Sequence, residues 1–298
     1  MNKKPLLQWG GFFFLFSFFF FVFTFFLSRY VESGGGSSWQ SGGKIALVRI
    51  EGIIVDSKET TDALRQYAND IDIHAILLRV DSPGGGVVPS QEIYAEVKKI
   101  REDGKKKVVV SMGTVAASGG YYIASASNKI IANPGTLTGS LGVIMELTNL
   151  EGLMQKIGVE SVVIKSGANK DIGSPFRRMK EEERTLLQNV LDDMHHQFID
   201  AVSEGRSLSV ETVRALADGR VFTGRQAKDL GLIDELGSFE YAVRKTADLA
   251  GLKGEPRIVE AKKKISFLDF FRGISSMIQW ERHSSPITSI HTSYLFSF

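Results

Sequence analysis

Ser118 lies in the run Lys-Val-Val-Val-Ser-Met-Gly-Thr-Val-Ala-Ala-Ser-Gly-Gly-Tyr-Tyr-Ile-Ala, residues 107–124. Residues 108–112 are mostly β-branched and apolar and predict a short buried strand. From Ser118 onward the pattern predicts a helix start, with a hydroxyl residue at the N-cap. Between them, Gly113, Ala116, Ala117, Gly119 and Gly120 are small enough for other backbone, or a substrate, to come close. A serine on a tight strand-to-helix turn presents its hydroxyl, and the next N–H points the same way. That is a nucleophile with half an oxyanion hole. The plainer reading is a capping serine in a Gly-rich turn, and on these residues alone it is the commoner one.

Three other stretches carry suitable chemistry. Asp81-Ser82-Pro83-Gly84-Gly85-Gly86 directly follows an apolar run; Pro83 fixes φ and the glycines allow backbone N–H groups to face an anion or oxyanion. No Gly-Lys-Ser/Thr follows, so this is not a phosphate loop. Gly139-Ser140-Leu141-Gly142 is a second small-residue turn, and Ser166-Gly167-Ala168-Asn169-Lys170-Asp171 places a lysine in a Gly-containing loop. Taken singly, each reads as a turn, a cap or a solvated lysine.

A Ser-His-Asp enzyme needs a placed imidazole, and the chain has five histidines. His74 enters an apolar run, His195 and His196 are adjacent within a helical pattern, and His283 and His291 fall in an atypical tail. No HExxH or similar metal spacing occurs, and no cofactor is implied. If Ser118 is a nucleophile, its base is a lysine. Such an amine must be neutral to accept the proton, and a free lysine near pKa ~10.4 is not. Burial in an apolar pocket lowers that value, and a hydroxyl such as Ser140 can hold the neutral amine. Ser-Lys pairs are a known variant of the serine triad. Lys165 is the nearest competing lysine.

The elements that would position these groups alternate. Apolar runs at 45–50, 75–80, 108–112, 130–132 and 161–164 predict strands. Helical patterns cover 58–67, 90–100, a segment from Ser118, 150–157 and 181–204. In the last, Leu186, Leu187, Val190, Leu191, Met194, Phe198 and Val202 form one stripe. This alternation predicts an α/β fold with a largely parallel sheet.

Four segments divide the chain. Residues 1–30 read as a retained signal anchor: Lys3 and Lys4 precede the 24 uncharged residues 5–28, and eleven of the twenty phenylalanines lie between Phe12 and Phe26. At 1.5 Å per residue that span matches a hydrocarbon core of roughly 30 Å. The lysines and the α-amino group outweigh Arg29, which predicts a cytoplasmic N-terminus with the remainder outside the cytoplasm. Residues 31–43 form a Gly/Ser linker, 44–252 a catalytic domain, and 253–298 an aromatic-rich tail. Phe267, Leu268, Phe270, Phe271, Ile274 and Met277 would line one face of a short helix in that tail, whose role the sequence leaves open. A net charge of +2 gives no electrostatic case for nucleic acid, and the absence of cysteine excludes disulfides and thiolate chemistry.

Together, Ser-Pro-Gly-Gly after a strand, Ala-Ala-Ser118-Gly-Gly-Tyr-Tyr-Ile-Ala, Thr-Gly-Ser140-Leu-Gly-Val and Ser-Gly-x-x-Lys170-Asp-Ile-Gly-Ser-Pro resemble the signal peptide peptidase A family. Residues 218–234, beginning Asp-Gly-Arg-Val-Phe-Thr-Gly, are also very like that family's later signature. The likeness runs over residues 44–252 and looks like the short bacterial form. It implies repeated strand-helix units like those of the Clp protease and crotonase superfamily. It also implies a single-pass serine endopeptidase of the bacterial inner membrane, its catalytic domain on the periplasmic side, that degrades cleaved signal peptides. By motif, Ser118 matches the nucleophile, Lys170 the general base and Ser140 the serine that orients the lysine. The N–H groups of Gly119 and of the Gly84–Gly85 turn match the oxyanion hole. The implied partners are hydrophobic peptide substrates, the membrane and copies of the chain in a ring-like homo-oligomer, with serine and lysine supplied by neighbouring subunits. Two alternatives remain: a membrane protease acting on intact membrane proteins such as stomatin-like partners, and a non-catalytic scaffold of the same fold. An acyl-CoA enzyme fits poorly, because the domain is expected where acyl-CoA is absent.

Overall fold

The structure, a computed structural model, describes residues 43–260 and 292–295. The expected anchor, nearly all of the linker and the aromatic helix of the tail lie outside the described residues. Among the described residues no helix is long and apolar enough to cross a membrane.

In chain order the strands are β1 (Lys44–Glu51), β2 (Ile73–Ser82), β3 (Gly84–Gly86), β4 (Lys107–Ala117), β5 (Lys129–Ala132), β6 (Leu137–Gly139), β7 (Ile144–Met145), β8 (Val221–Thr223), β9 (Glu235–Leu236), β10 (Arg257–Glu260) and β11 (Thr292–Leu295). The helices are α1 (Lys58–Asn69), α2 (Val87–Asp103), α3 (Gly119–Ser125), α4 (Glu151–Lys156), α5 (Glu181–Arg206), α6 (Val210–Leu216), α7 (Gly224–Asp229) and α8 (Phe239–Leu249).

Eight strands form one sheet, with a main path β10-β1-β2-β4-β5-β9 that is parallel throughout. β6 pairs parallel with the far end of β4, and β8 pairs antiparallel with β6. This is the mixed α/β architecture with a central sheet that the strand-helix alternation predicts, and it fits a Clp protease/crotonase-like fold. The central strands read as unbroken apolar runs because both faces are covered, as parallel sheets require. Ile76, Leu78, Val108 and Val110 enter the larger core under α1, α2, α3 and α5. Leu77, Val109 and Ile131 face the other side, against Ala242 and Ala247 of α8.

Three differences from the sequence reading bear on the site. β4 does not stop at Met112 but continues to Ala117, because it changes neighbours: Val109–Ser111 pair with β5, and Val115–Ala117 pair with β6. The run 161–164 is not a strand. Val162 is 78% and Ile164 97% exposed, and no neighbouring strand is at hand to pair with it. The stripe of α5 is only half packed: Phe198 and Val202 are buried, whereas Leu186 and Val190 are exposed. β10, although beyond residue 252, is the edge strand beside β1.

Candidate active site

The end of β4 is steered before it reaches Ser118. The β2–β4 register shifts between Val80 and Ser82, and in that gap the Asp81 carboxylate accepts the Val115 N–H at 3.0 Å. Thr136 Oγ1 donates to the Gly113 carbonyl at 2.8 Å and Thr138 Oγ1 to the Ala116 carbonyl at 2.6 Å. These bonds hold the extension of β4 against β6 after its departure from β5. Ser118 thus sits just beyond the carboxyl end of a central parallel strand, where open α/β sheets place their ligands.

Ser118 has φ 52° and ψ −119°, a conformation L-residues rarely adopt. Three described non-glycine residues have positive φ, and two of them are Ser118 and Ser140. The third, Ser207, is the left-handed C-cap of α5. Strain of this kind, of order 1–3 kcal/mol per residue, survives where surrounding structure over-determines it and clusters at functional sites. The Ser118 N–H donates to the Gly139 carbonyl at 2.8 Å, and its carbonyl accepts from Tyr122 N at 2.8 Å. Its side chain makes no capping bond to α3. The hydroxyl is buried, and it has no hydrogen-bond partner. The capping reading of this serine therefore fails, and an unpaired buried hydroxyl costs about 1–3 kcal/mol.

α3 is anchored by the aromatic pair that follows the glycines. Tyr121, fully buried, donates its hydroxyl to the Leu232 carbonyl at 2.8 Å. The Tyr122 ring packs 4.8 Å from that of Tyr94 and 4.9 Å from that of Phe198. Burial pushes the Tyr94 and Tyr122 hydroxyls up to about 12 and keeps both neutral.

Ser82 anchors the glycine turn. Its hydroxyl donates to the Gly52 carbonyl at 2.6 Å and accepts the Gly84 N–H at 3.1 Å. Gly84 has φ 104°, which an L side chain would resist. The Gly84 carbonyl and the Gly86 N–H bond to Ile54 at 2.9 and 2.7 Å, so the Gly85 N–H and carbonyl face the opposite side. A Cβ on Gly119 would lie 2.5 Å from Ser90 Oγ and 3.3 Å from both Gly84 Cα and Gly85 N. The Gly85 and Gly119 backbones are therefore neighbours, and only glycine at 119 permits it. Of the turn's two glycines, Gly85 is the one whose N–H is turned outward.

Ser140 lies beside Ser118, because Ala117 and Gly139 are register partners in β4 and β6. Its N–H donates to the Arg220 carbonyl at 2.9 Å. Phe222 fills the space where a Cβ on Gly139 would stand, 2.5 Å from Phe222 Cδ2. Residues 218–223, quoted in the sequence only as a motif, are thus the buttress of the Ser140 turn.

Lys170 is exposed, on the loop between α4 and α5. Among the described residues no side chain of this chain bonds the Ser118 hydroxyl, so the two are not hydrogen-bonded within the single chain. The loop itself is held firmly. Arg177 Nε donates to Asp171 Oδ2 at 2.8 Å, and its other nitrogens grip Glu183 at 2.8 and 2.5 Å. Glu183 in turn accepts the Lys180 N–H at 3.0 Å, closing the N-terminus of α5. The guanidinium holds the Glu183 carboxyl at about 2 and, aided by Lys165, the Asp171 carboxyl well below the usual carboxylate range. Lys165 is consumed by this network, bonded to Asp171 and, at 2.7 Å, to the Ala168 carbonyl. Of the two lysines, Lys170 is the one left outside it.

Ser82, Ser90, Asp81, Thr136 and Thr138 were not singled out by sequence. Each works by bonding to or touching main chain, a role that leaves no spacing signature.

Comparison with known proteins extends this picture. Residues 100–253, which include Ser118, Ser140 and Lys170, match peptidase family S49. A protein of Synechocystis sp. that bears a provisional protease name is 49% identical over 211 residues, covering 70% of this chain and 75% of that protein. One from Enterococcus faecium, provisionally named signal peptide peptidase SppA, is 36% identical over 231 residues, covering 73% and 65%. Protease 4 of Salmonella typhi is 39% identical over 222 residues, covering 72% of this chain and only 36% of Protease 4. The motifs, the sheet and these relatives agree: the chain belongs to peptidase family S49, and is a peptidase of the signal peptide peptidase A family.

Proposed function

We propose that the protein is a membrane-anchored serine endopeptidase that cleaves extended apolar peptides, signal-peptide remnants among them, by a Ser118–Lys170 dyad completed between subunits. The observation that carries this reading is the Ser118 hydroxyl: buried, without a hydrogen-bond partner, on a strained turn beside the Gly85 and Gly119 backbones. A hydroxyl left unpaired in one chain is a hydroxyl awaiting a partner. Lys170 is exposed on an anchored loop, and the apolar residues Leu153, Ile157, Val162, Val163 and Ile164 beside it are exposed as well. An interface with a second copy would cover them and bring Lys170 of the partner subunit to Ser118. Anchoring by residues 1–30 would keep the domain near its substrates.

In the reaction, the neutral Lys170 amine takes the Ser118 proton as Oγ attacks the scissile carbonyl carbon. The oxyanion is stabilised by the Gly119 and Gly85 N–H groups, and losing one such donor typically costs about 10²–10³ in rate. The lysine then protonates the departing amine, the C–N bond breaks, and an acyl-Ser118 ester remains. Water, deprotonated by the same amine, hydrolyses the ester and restores Ser118. Ser140, beside Ser118, holds the lysine amine in place.

Ser118→Ala and Lys170→Ala should each lower kcat/KM for an apolar reporter peptide by about 10⁴ or more while leaving the fold intact. Mixing the two inactive proteins should restore activity, because some sites then pair an intact serine with an intact lysine. Near-normal turnover in either variant would sink the dyad, and no recovery on mixing would confine it to one chain.

A further inference from the structure

β11 forms a small sheet with β3 and β7, in the order β3-β11-β7, separate from the central sheet. It runs antiparallel to both neighbours: Ser293, Tyr294 and Leu295 face Gly86, Gly85 and Gly84, and Thr292 and Ser293 face Met145 and Ile144. Because Gly84 and Gly86 turn their main chain to Ile54, the main chain of Gly85 turns to Tyr294. Alternation along β11 then turns the main chain of Ser293 to Ile144. β11 also lies against α2 and against α3, the helix that begins one residue after Ser118. It therefore passes directly by the Gly85–Gly119 pair.

The edges that receive it are unusual. β3 is three glycines, and β7 is two residues whose strand partner among the described residues is β11. An edge of glycines binds through main chain alone, so it accepts an extended segment of almost any sequence, as in strand addition. Ile53, Val55, Val88 and Ile144, next to or within these edges, are exposed apolar residues that would favour apolar side chains on an incoming strand.

We propose that this slot is the seat of the peptide substrate and that the chain's own C-terminal segment, residues 292–295, occupies it as a built-in competitor. The inference rests on the peptide-cleaving reading of Ser118 given above. A segment tethered to the domain it occupies is present at an effective concentration of order millimolar, so peptides that bind more weakly than that compete poorly. Residue 260 ends β10 in the central sheet and residue 292 begins β11, so the intervening residues are that tether.

The test is made in the full chain. Tyr294→Pro removes the N–H that faces Gly85 and puts proline in the middle strand of a sheet, where it is not tolerated. The expected result is a KM for the reporter peptide lower by about fivefold or more, with kcat unchanged, as follows from losing a tethered competitor. A synthetic peptide of residues 288–298 should inhibit the variant competitively. Amide exchange gives a readout independent of catalysis: the Gly85 and Ile144 amides should be protected in the unaltered chain and exposed in the variant. Equal exchange in both proteins would overturn occupancy of the slot by the tail. Changed exchange with unchanged KM would overturn the slot as the substrate seat. The exchange result holds whether or not Ser118 is the nucleophile, so failure of the dyad and failure of this inference are told apart.

Discussion

Ser118 combines two costs that a structural serine avoids: a positive φ and a buried hydroxyl with no partner. Both can be separated by substitution. Ser118→Ala removes the unpaired hydroxyl and keeps the strained backbone, so it should unfold no more easily than the parent while losing hydrolysis. Ser118→Gly also relieves the backbone and should be more stable than Ser118→Ala by about 1 kcal/mol. Denaturant unfolding followed by circular dichroism measures the difference, and an alanine variant distinctly less stable than the parent would show that the hydroxyl is bonded after all. The serine itself was legible from its run of small residues between a strand and a helix. Its strain was not, because no residue type announces a positive φ unless it is glycine. The choice between Lys165 and Lys170 was equally closed to sequence, since only the fold shows Asp171 binding the former.

At the scale of elements, the loop carrying Lys170 is fixed by one guanidinium between two carboxylates rather than by regular structure. The carboxyls of Asp171 and Glu183 are held below their ordinary values, by Arg177 first. Groups shifted downward contribute stability that is fully present above the unfolded pKa, near 4, and is lost as pH falls through the folded one. For Glu183 that folded value is about 2. The loop should therefore keep its resistance to limited proteolysis down to about pH 4 and lose it toward pH 2. In Arg177→Ala the resistance should be gone already at pH 7, and its pH dependence with it. Retained resistance in that variant would mean that something else fixes the loop. The sequence reading found every strand of the central path before residue 133 and the long α5, because apolar periodicity reports burial directly. It took 161–164 for a strand for the same reason: Val162, Val163 and Ile164 are apolar and β-branched, yet the single chain leaves them uncovered. The extension of β4 was hidden because pairing with β6 depends on hydrogen bonds from Asp81, Thr136 and Thr138, which leave no periodic trace.

At the scale of the whole molecule, the uncovered residues fall in two places, the 153–164 segment and the first half of α5. Apolar surface of this extent marks an interaction site. If a second copy covers it, as the proposed shared dyad requires, Ile164→Asp should shift sedimentation toward smaller species and lower activity in parallel. An oligomer of unchanged size would assign that surface to another partner. Circular dichroism should not change, because Ile164, 97% exposed, contributes nothing to the core of its own chain.

β10 pairs only its first-strand side, with β1, and stands at the end of the main path. Removing it, as by ending the chain at Leu252, would lay bare the backbone of β1, a strand with five buried apolar residues, Ile45, Ala46, Leu47, Val48 and Ile50. A bared hydrophobic strand edge is a template for intermolecular pairing. This short strand is thus a guard against aggregation: a protein shortened to 252 should scatter light and precipitate, whereas one ending at Glu260 should stay in solution.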